Sequence, residues 1–196
     1  MTSSSDRRSD DELIRAFRTG DGSAMEALFG RYRRAVFGWL LRMSQDEGEA
    51  EDLHQEVWLK IIRGIDGYSS GSFRAWLWRV VRNAAADRAR KHVAEPILDA
   101  PLEEGADAAA FVDQVPDDTV VSALTRLEET ERRAAVREAV DGLSRRLKEV
   151  VLLRVNGELK FQEIADILGL PIGTVLGRMN LALAKLRQAL SQKGVA

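Results

Sequence analysis

Residues 92–121 contain no lysine or arginine, yet carry eight carboxylates: Glu95, Asp99, Glu103, Glu104, Asp107, Asp113, Asp117 and Asp118. Three of the four prolines (Pro96, Pro101 and Pro116) and the low-complexity run "GADAAAF" fall in the same interval. A segment of that composition extends more readily than it packs, so no single core can run through it. The chain is therefore expected to fold as two separate bodies. Residues 1–91 carry 16 basic and 14 acidic side chains, and residues 122–196 carry 13 and 9, so each flank is mildly basic although the whole chain has a net charge of −2. Local phosphate binding is compatible with such a distribution. The expected organisation is a loose polar tail over 1–10, a helical domain over 11–93, an acidic flexible linker over 94–121 and a second helical domain over 122–192.

Both flanks show helical periodicity and no strand signal, which makes the fold class all-α. "SAME" at 23–26 has capping-box spacing, with Ser23 as the cap and Glu26 reaching back. Leu28, Phe29, Tyr32, Val36, Leu40 and Met43 follow at helical steps, and Trp39 is expected in the core. Asp46 and Glu49 repeat the cap spacing before a helix whose buried side is Leu53, Val57 and Ile61, with Trp58 and Ile62 beside them. In the second flank, "LSRRLKEVVLLRVNG" reads as an amphipathic helix stopped by Asn-Gly. A short helix with Ile164, Ala165 and Leu168 inward then meets Gly169, which permits a left-handed turn. Pro171 opens a longer helix with Val175, Met179, Ala182, Leu186 and Ala189 as its seam. Short helix, glycine turn and longer helix form a helix-turn-helix, whose second helix enters the DNA major groove.

Several classes of function drop out. The absence of cysteine excludes disulfides and thiolate metal sites. His54 and His92 do not share a metal-ligand spacing. The first ten residues lack the apolar run of a signal peptide, and no apolar run approaches the roughly 20 residues of a membrane span. There is no phosphate-cradling glycine loop and no nucleophile elbow. No enzyme activity, cofactor, metal or membrane insertion is expected, and the cytoplasm is the expected location.

The stretch "SFRAWLWRVVRNAAADRARK" at 72–91 mixes two tryptophans with five arginines and a lysine. Projected at about 100° per residue, Phe73, Leu77, Val80 and Ala84 form the inner side, with Trp76 at its margin. Trp78 then falls on the far side near Arg82, beside a sector holding Arg79, Asn83 and Arg90. An outward ring among guanidinium groups suits single-stranded nucleic acid: bases stack on the ring, cations hold phosphates and an amide reads a base edge. Packing of Trp78 under a neighbouring helix is the alternative reading. The function classes left open are a polymerase-dependent promoter factor, a helix-turn-helix regulator binding duplex DNA alone, and a protein-binding adaptor.

"AEDLHQEVW", "SFRAWLWRVVRNAAADRARK" and "LKFQEIADILGLPIGTVLGR", in that order, resemble the extracytoplasmic-function (ECF) group of bacterial RNA polymerase sigma factors, over about residues 12–91 and 124–190. The resemblance implies an alternative sigma factor whose partners are core RNA polymerase and promoter DNA. It assigns Asp52, Leu53, Gln55 and Glu56 to the clamp of the largest polymerase subunit. Trp78, Arg79, Arg82 and Asn83 would face the melted minus-ten strand, with Arg88, Arg90 and Lys91 on its phosphates. Thr174, Arg178, Asn180 and Lys185 would contact the minus-thirty-five element. The acidic linker would thread a basic channel of polymerase.

Two departures from the family pattern stand out. Lys160 stands where Ser or Thr is common, which costs the short helix its cap, about 1 kcal/mol. "GTVLGRMNLALAKL" replaces a reading helix usually rich in cations, with Leu176, Gly177, Leu181 and Leu183 at the changed positions. Fewer cations release fewer counterions, so duplex binding should be weaker and less salt-sensitive. Leu176 and Leu183 share a helix face outside the main seam, which would meet either a protein such as an anti-sigma factor or polymerase, or the preceding helices.

Overall fold

A computed structural model of the chain describes residues 6–44, 46–69, 71–92 and 123–194, the side chains of 91–92 and 123–131 excepted. Among the described residues every regular element is a helix: α1 (Asp10–Arg18), α2 (Gly22–Met43), α3 (Glu47–Gly64), α4 (Phe73–His92), α5 (Ala123–Asp141), α6 (Arg145–Val155), α7 (Phe161–Leu168) and α8 (Ile172–Gln192). No single helix among them is long and apolar enough to cross a membrane. The chain divides into two compact units. One comprises residues 1–98 together with 152–169, and the other residues 99–151 and 170–196. The linker expected over 94–121 lies outside the described residues.

The first unit starts earlier than its sequence suggests. Ser9 caps α1 in a complete capping box, the Glu12 carboxylate accepting from the Ser9 amide at 2.7 Å. Three acidic residues in the first turn complement the positive end of the helix. Residues 6–10 therefore belong to the fold rather than to a loose tail: Arg8 also pairs with Asp6 at 2.7 Å and with Asp21 at 3.0 Å. Asp21, not Ser23, caps α2, accepting from the Ser23 amide at 3.0 Å. The carboxylate two residues back reaches the free Ser23 amide, so the helix begins one residue before the "SAME" box. Asp46 caps α3 as its spacing implies, accepting from the Glu49 amide at 2.8 Å. After α3 comes a short 3-10 turn (Ile65–Gly67), and its Ile65 carbonyl accepts both from the Tyr68 amide at 3.2 Å and from Arg18 of α1 at 2.6 Å.

Leu28, Val36, Trp39 and Leu40 of α2 meet Leu53, Val57 and Ile61 of α3 and Phe73, Leu77 and Trp78 of α4 in the core. Tyr32 is buried with them, and its hydroxyl donates to the Asp10 carboxylate. Burial, then that acceptor, pushes its pKa up to about 12.

One titratable group is built into this core edge. The His54 ring lies among Phe29, Phe37 and Trp58, with ring centroids 5.5 to 6.2 Å away. Its Nε2 accepts from the Trp58 indole N–H at 3.0 Å. An indole nitrogen only donates, so Nε2 is unprotonated and the ring neutral. Burial holds the His54 pKa below its ordinary 6.5. Between the folded and unfolded values the unfolded chain binds more protons. The stabilisation is therefore complete above about pH 6.5 and lost as the pH falls through the folded value. Of thermal melts at pH 7.5 and 5.5 the acid sample should melt lower, and His54→Gln should flatten that difference. A slope unchanged by His54→Gln would remove His54 as its source.

In the second unit Leu143, Leu147 and Val151 pack with Ala182, and Met179 and Leu186 of α8 flank them. Lys193 at the end of α8 pairs with Glu138 of α5, which ties the long helix down at its far end. The seam expected on α8 is thus the one that packs.

Candidate polymerase and promoter surfaces

The acidic helix α3 presents a continuous outer face. Asp52, Gln55 and Glu56 are exposed, and Lys60 pairs with Glu56 at 2.7 Å one turn on. Leu59 and Ile62 stand between them at 51% and 42% exposure, two large apolar side chains with no cover. Ile62, expected beside the core, faces out instead. Leu53 is the reverse case. It is 2% exposed, locked with Val57 and Ile61 on the inner side, and no partner can touch it without unfolding α3. The exposed apolar side chain that the helical projection puts beside Gln55 and Glu56 is Leu59.

On α4 the inner arc is wider than one stripe and is turned relative to expectation. Phe73, Leu77, Trp78, Val81, Ala84 and Ala85 are all buried, whereas Val80 is only half-buried. These positions span about 140° of the helix. The reason is that α4 is flanked by α2, α3 and α7 within the same unit, so two adjoining sides must be apolar. Trp78 accordingly faces inward. It is 0% exposed and meets Trp39 edge-on, with centroids 6.1 Å apart and ring planes at 67°. The half-exposed ring is Trp76, stacked on Phe73 at 5.6 Å and lying over Gly64, where a Cβ would stand in ordinary contact with it at 3.4 Å.

The polar side of α4 keeps part of its expected make-up. Arg79, Asn83 and Arg90 are exposed and fall within one narrow sector, and Trp76 borders it. Arg90 pairs with Asp87 on its own helix. Arg82 is half-buried and engaged within the fold. Arg88 leans the other way, 3.7 Å from Asp52 and 4.0 Å from Glu49, and so joins α4 to α3 rather than standing clear for phosphates. The Lys91 side chain lies outside the described residues.

The short helix α7 is followed by Gly169 in the left-handed conformation (φ 66°), as the turn requires. At its start only half of a capping box survives. The Glu163 carboxylate accepts from the Lys160 amide at 2.8 Å, while the lysine side chain has no acceptor to return. Along α8, Thr174, Arg178 and Lys185 share a sector with Leu181, which is 46% exposed. Asn180 lies more than about 100° away, beside Leu176, Leu183 and Arg187. The four expected contacts thus fall on two sides of the helix, and the line from Ile172 through Leu176 to Leu183 remains apolar and largely open. No group of three or more potential metal ligands occurs among the described residues.

Two family patterns match the chain: Sigma-70 region 2 over residues 28–95 and Sigma-70 region 4 over residues 133–186. The ECF RNA polymerase sigma factor SigK of Mycobacterium ulcerans (strain Agy99) is 31% identical over 187 residues, covering 93% of this chain and 95% of that protein. This chain belongs to the ECF sigma factors of the sigma-70 family. SigW of Bacillus subtilis (strain 168), another of the group, is 28% identical over 184 residues, covering 90% and 94% of the two chains. The solved structure of CnrH in complex with the cytosolic domain of CnrY shares the fold at a TM-score of 0.62, with 22% identity and 93% and 97% coverage. RpoE from Bartonella quintana, in complex with the anti-sigma factor NepR, has a TM-score of 0.59, 21% identity and coverage of 85% and 96%. The protein is thus an alternative sigma factor acting in transcription initiation, with core RNA polymerase and promoter DNA as its partners.

Proposed function

We propose that the sigma factor divides this work among three faces. The outer side of α3, through Asp52, Gln55 and Glu56 with Leu59 and Ile62, docks on the clamp of the largest polymerase subunit. The outer sector of α4, through Arg79 and Asn83 with Trp76 as the stacking ring, receives the unpaired minus-ten strand. Thr174, Arg178 and Lys185 of α8 contact the minus-thirty-five duplex. The domain over 11–93 carries the first two tasks and the domain over 122–192 the third. No catalysis is involved, and the site of action is the cytoplasm, where polymerase meets the chromosome. The open apolar line on α8 supports an anti-sigma factor as a further partner.

The observation that carries this reading is the separation of faces on the first unit. An acidic, apolar-centred surface on α3 and a cationic, amide-bearing strip on α4 can be occupied at the same time by protein and by DNA. Base stacking on an aromatic ring contributes about 1–3 kcal/mol per base. Core polymerase lacking sigma, mixed with this protein and a promoter library, should produce defined starts. Arg79→Ala and Asn83→Ala should each lower open-complex formation about tenfold or more, with core binding retained. Full activity in both variants would exclude the α4 strip, and tight duplex binding without polymerase would point to a free-standing regulator.

A further inference from the structure

Helix α1 holds the segment that leads into α4, and all of these residues lie within the first unit. At the last turn of α1, Arg18 Nη2 donates to the Ile65 carbonyl at 2.6 Å, lies 3.2 Å from that of Asp66 and also reaches that of Tyr68. One planar guanidinium thus gathers three carbonyls of the turn, a fork that a lysine does not reproduce. From the first turn of α1, Asp11 Oδ1 accepts from the Tyr68 hydroxyl at 3.1 Å, and the Gly71 carbonyl accepts from the same hydroxyl at 2.6 Å. Gly71 has a positive φ of 101°, which a glycine adopts without strain. Next to it the Ser72 hydroxyl accepts from the Ala75 amide at 3.1 Å, at the start of α4. The beginning of α4 is therefore set by two side chains of α1 that lie 47 to 57 positions from their partners in sequence.

Tyr68 carries this hold to the strand-facing ring. It is 6% exposed, meets Phe73 edge-on at 5.7 Å and tilts against Trp76 at 5.9 Å. Phe73 is 2% exposed and stacks on Trp76 at 5.6 Å. The half-exposed indole is thus backed by two buried rings, one of them tied to α1. What this arrangement gives is preorganisation. A side chain that must be ordered on binding lowers affinity about two- to tenfold relative to one already held. Loosening Tyr68 should weaken strand binding by about that factor, while the acidic face of α3 keeps its shape.

We propose that Arg18 and Tyr68 are positioning residues of the minus-ten surface, through which α1 fixes the start of α4 and holds the Trp76 ring ready for an unpaired base. This inference rests on the reading of Trp76 as the stacking ring.

Holoenzyme assembled from core polymerase and the full chain is titrated with a labelled fork, a duplex ending in single-stranded minus-ten DNA, taken from a promoter that gives starts in the library. Trp76→Ala should weaken fork binding about tenfold. Arg18→Gln should weaken it about two- to tenfold and Tyr68→Phe, which keeps the ring, about twofold, both with unchanged core affinity. The double variant decides. With Trp76→Ala already present, adding Arg18→Gln should change fork affinity by less than about twofold, because the ring it positions is gone. Full additivity of the two changes overturns the positioning role. So does unchanged fork affinity in both Arg18→Gln and Tyr68→Phe. A loss of core affinity equal to the loss of fork affinity overturns it as well, since the substitution then acts on the whole fold. Trp76→Ala holoenzyme that binds the fork as tightly as the parent faults the stacking role of Trp76 itself, and the proposal falls with it.

Discussion

Trp78→Ala is expected to destabilise the first unit by about 3–5 kcal/mol, the usual cost of deleting a fully buried large aromatic side chain. Against a typical total of about 5–15 kcal/mol, that is enough to unfold much of the population near body temperature. The loss has two parts. Trp78 is 0% exposed, so its whole side-chain volume becomes a cavity. Its edge-on contact with Trp39, a geometry that contributes about 0.5–1.5 kcal/mol beyond area, goes with it. Trp78→Phe should cost much less, because it shrinks the ring but also removes an indole N–H that lacks an acceptor. Trp76→Ala should cost about 1–2 kcal/mol, since that ring is half-exposed. Urea denaturation followed by circular dichroism separates the three variants by midpoint. If Trp78→Ala melts within 1 kcal/mol of the parent yet abolishes transcript starts, the ring is a DNA contact and its buried position is not the working one.

The contrast between these tryptophans shows what periodicity can and cannot decide. Phe73, Leu77 and Ala84 mark the centre of the apolar side of α4, and the sequence places them correctly. The edges are ambiguous. Val80 extends the arc one way, while Val81, Ala85 and Trp78 extend it the other, and spacing along one helix does not weigh the two. What decides is that α3, α2 and α7 lie against adjoining sides of α4, a tertiary fact supplied by residues up to 90 positions away. Arg88, expected on phosphates, turns to α3 for the same reason, since its partners Glu49 and Asp52 come from another helix.

Leu53 differs, because the sequence already held the answer. Its spacing with Val57 and Ile61 put it inward, and only its membership of a family motif put it on the docking face. Where a motif and a periodicity disagreed, the periodicity held. The same projection, carried one turn further, would have found Leu59 beside Glu56. The helix-turn-helix was legible almost throughout, from the inward Ile164 and Ala165 to the left-handed Gly169, because each step depends on neighbours within four residues. The packing of its first helix on α4 was not legible, since nothing local encodes it.

Gln55→Arg combined with Glu56→Arg and Leu59→Asp is expected to weaken core-polymerase binding at least 100-fold, or about 2.7 kcal/mol, while leaving the melting temperature near that of the parent. The three side chains are exposed, so the folded state loses only a surface ion pair between Glu56 and Lys60, worth about 0.3–0.5 kcal/mol. With α3 docked as proposed, the same positions would sit at the middle of the patch. Burying Leu59 and Ile62 supplies the apolar centre, and the flanking carboxylate becomes a desolvated partner for basic side chains, where reversing a charge costs about 2–5 kcal/mol. Leu53→Ala makes the reciprocal control. It should cost about 2–5 kcal/mol of stability through its cavity and reduce binding only as far as it reduces the folded fraction. Titrating labelled protein with core polymerase, at a temperature where every variant is folded, reads the two effects apart. A triple variant that binds core as tightly as the parent would mean that polymerase docks elsewhere. A Leu53→Ala protein that is fully folded but cannot bind would mean that α3 turns its present inner side outward on docking.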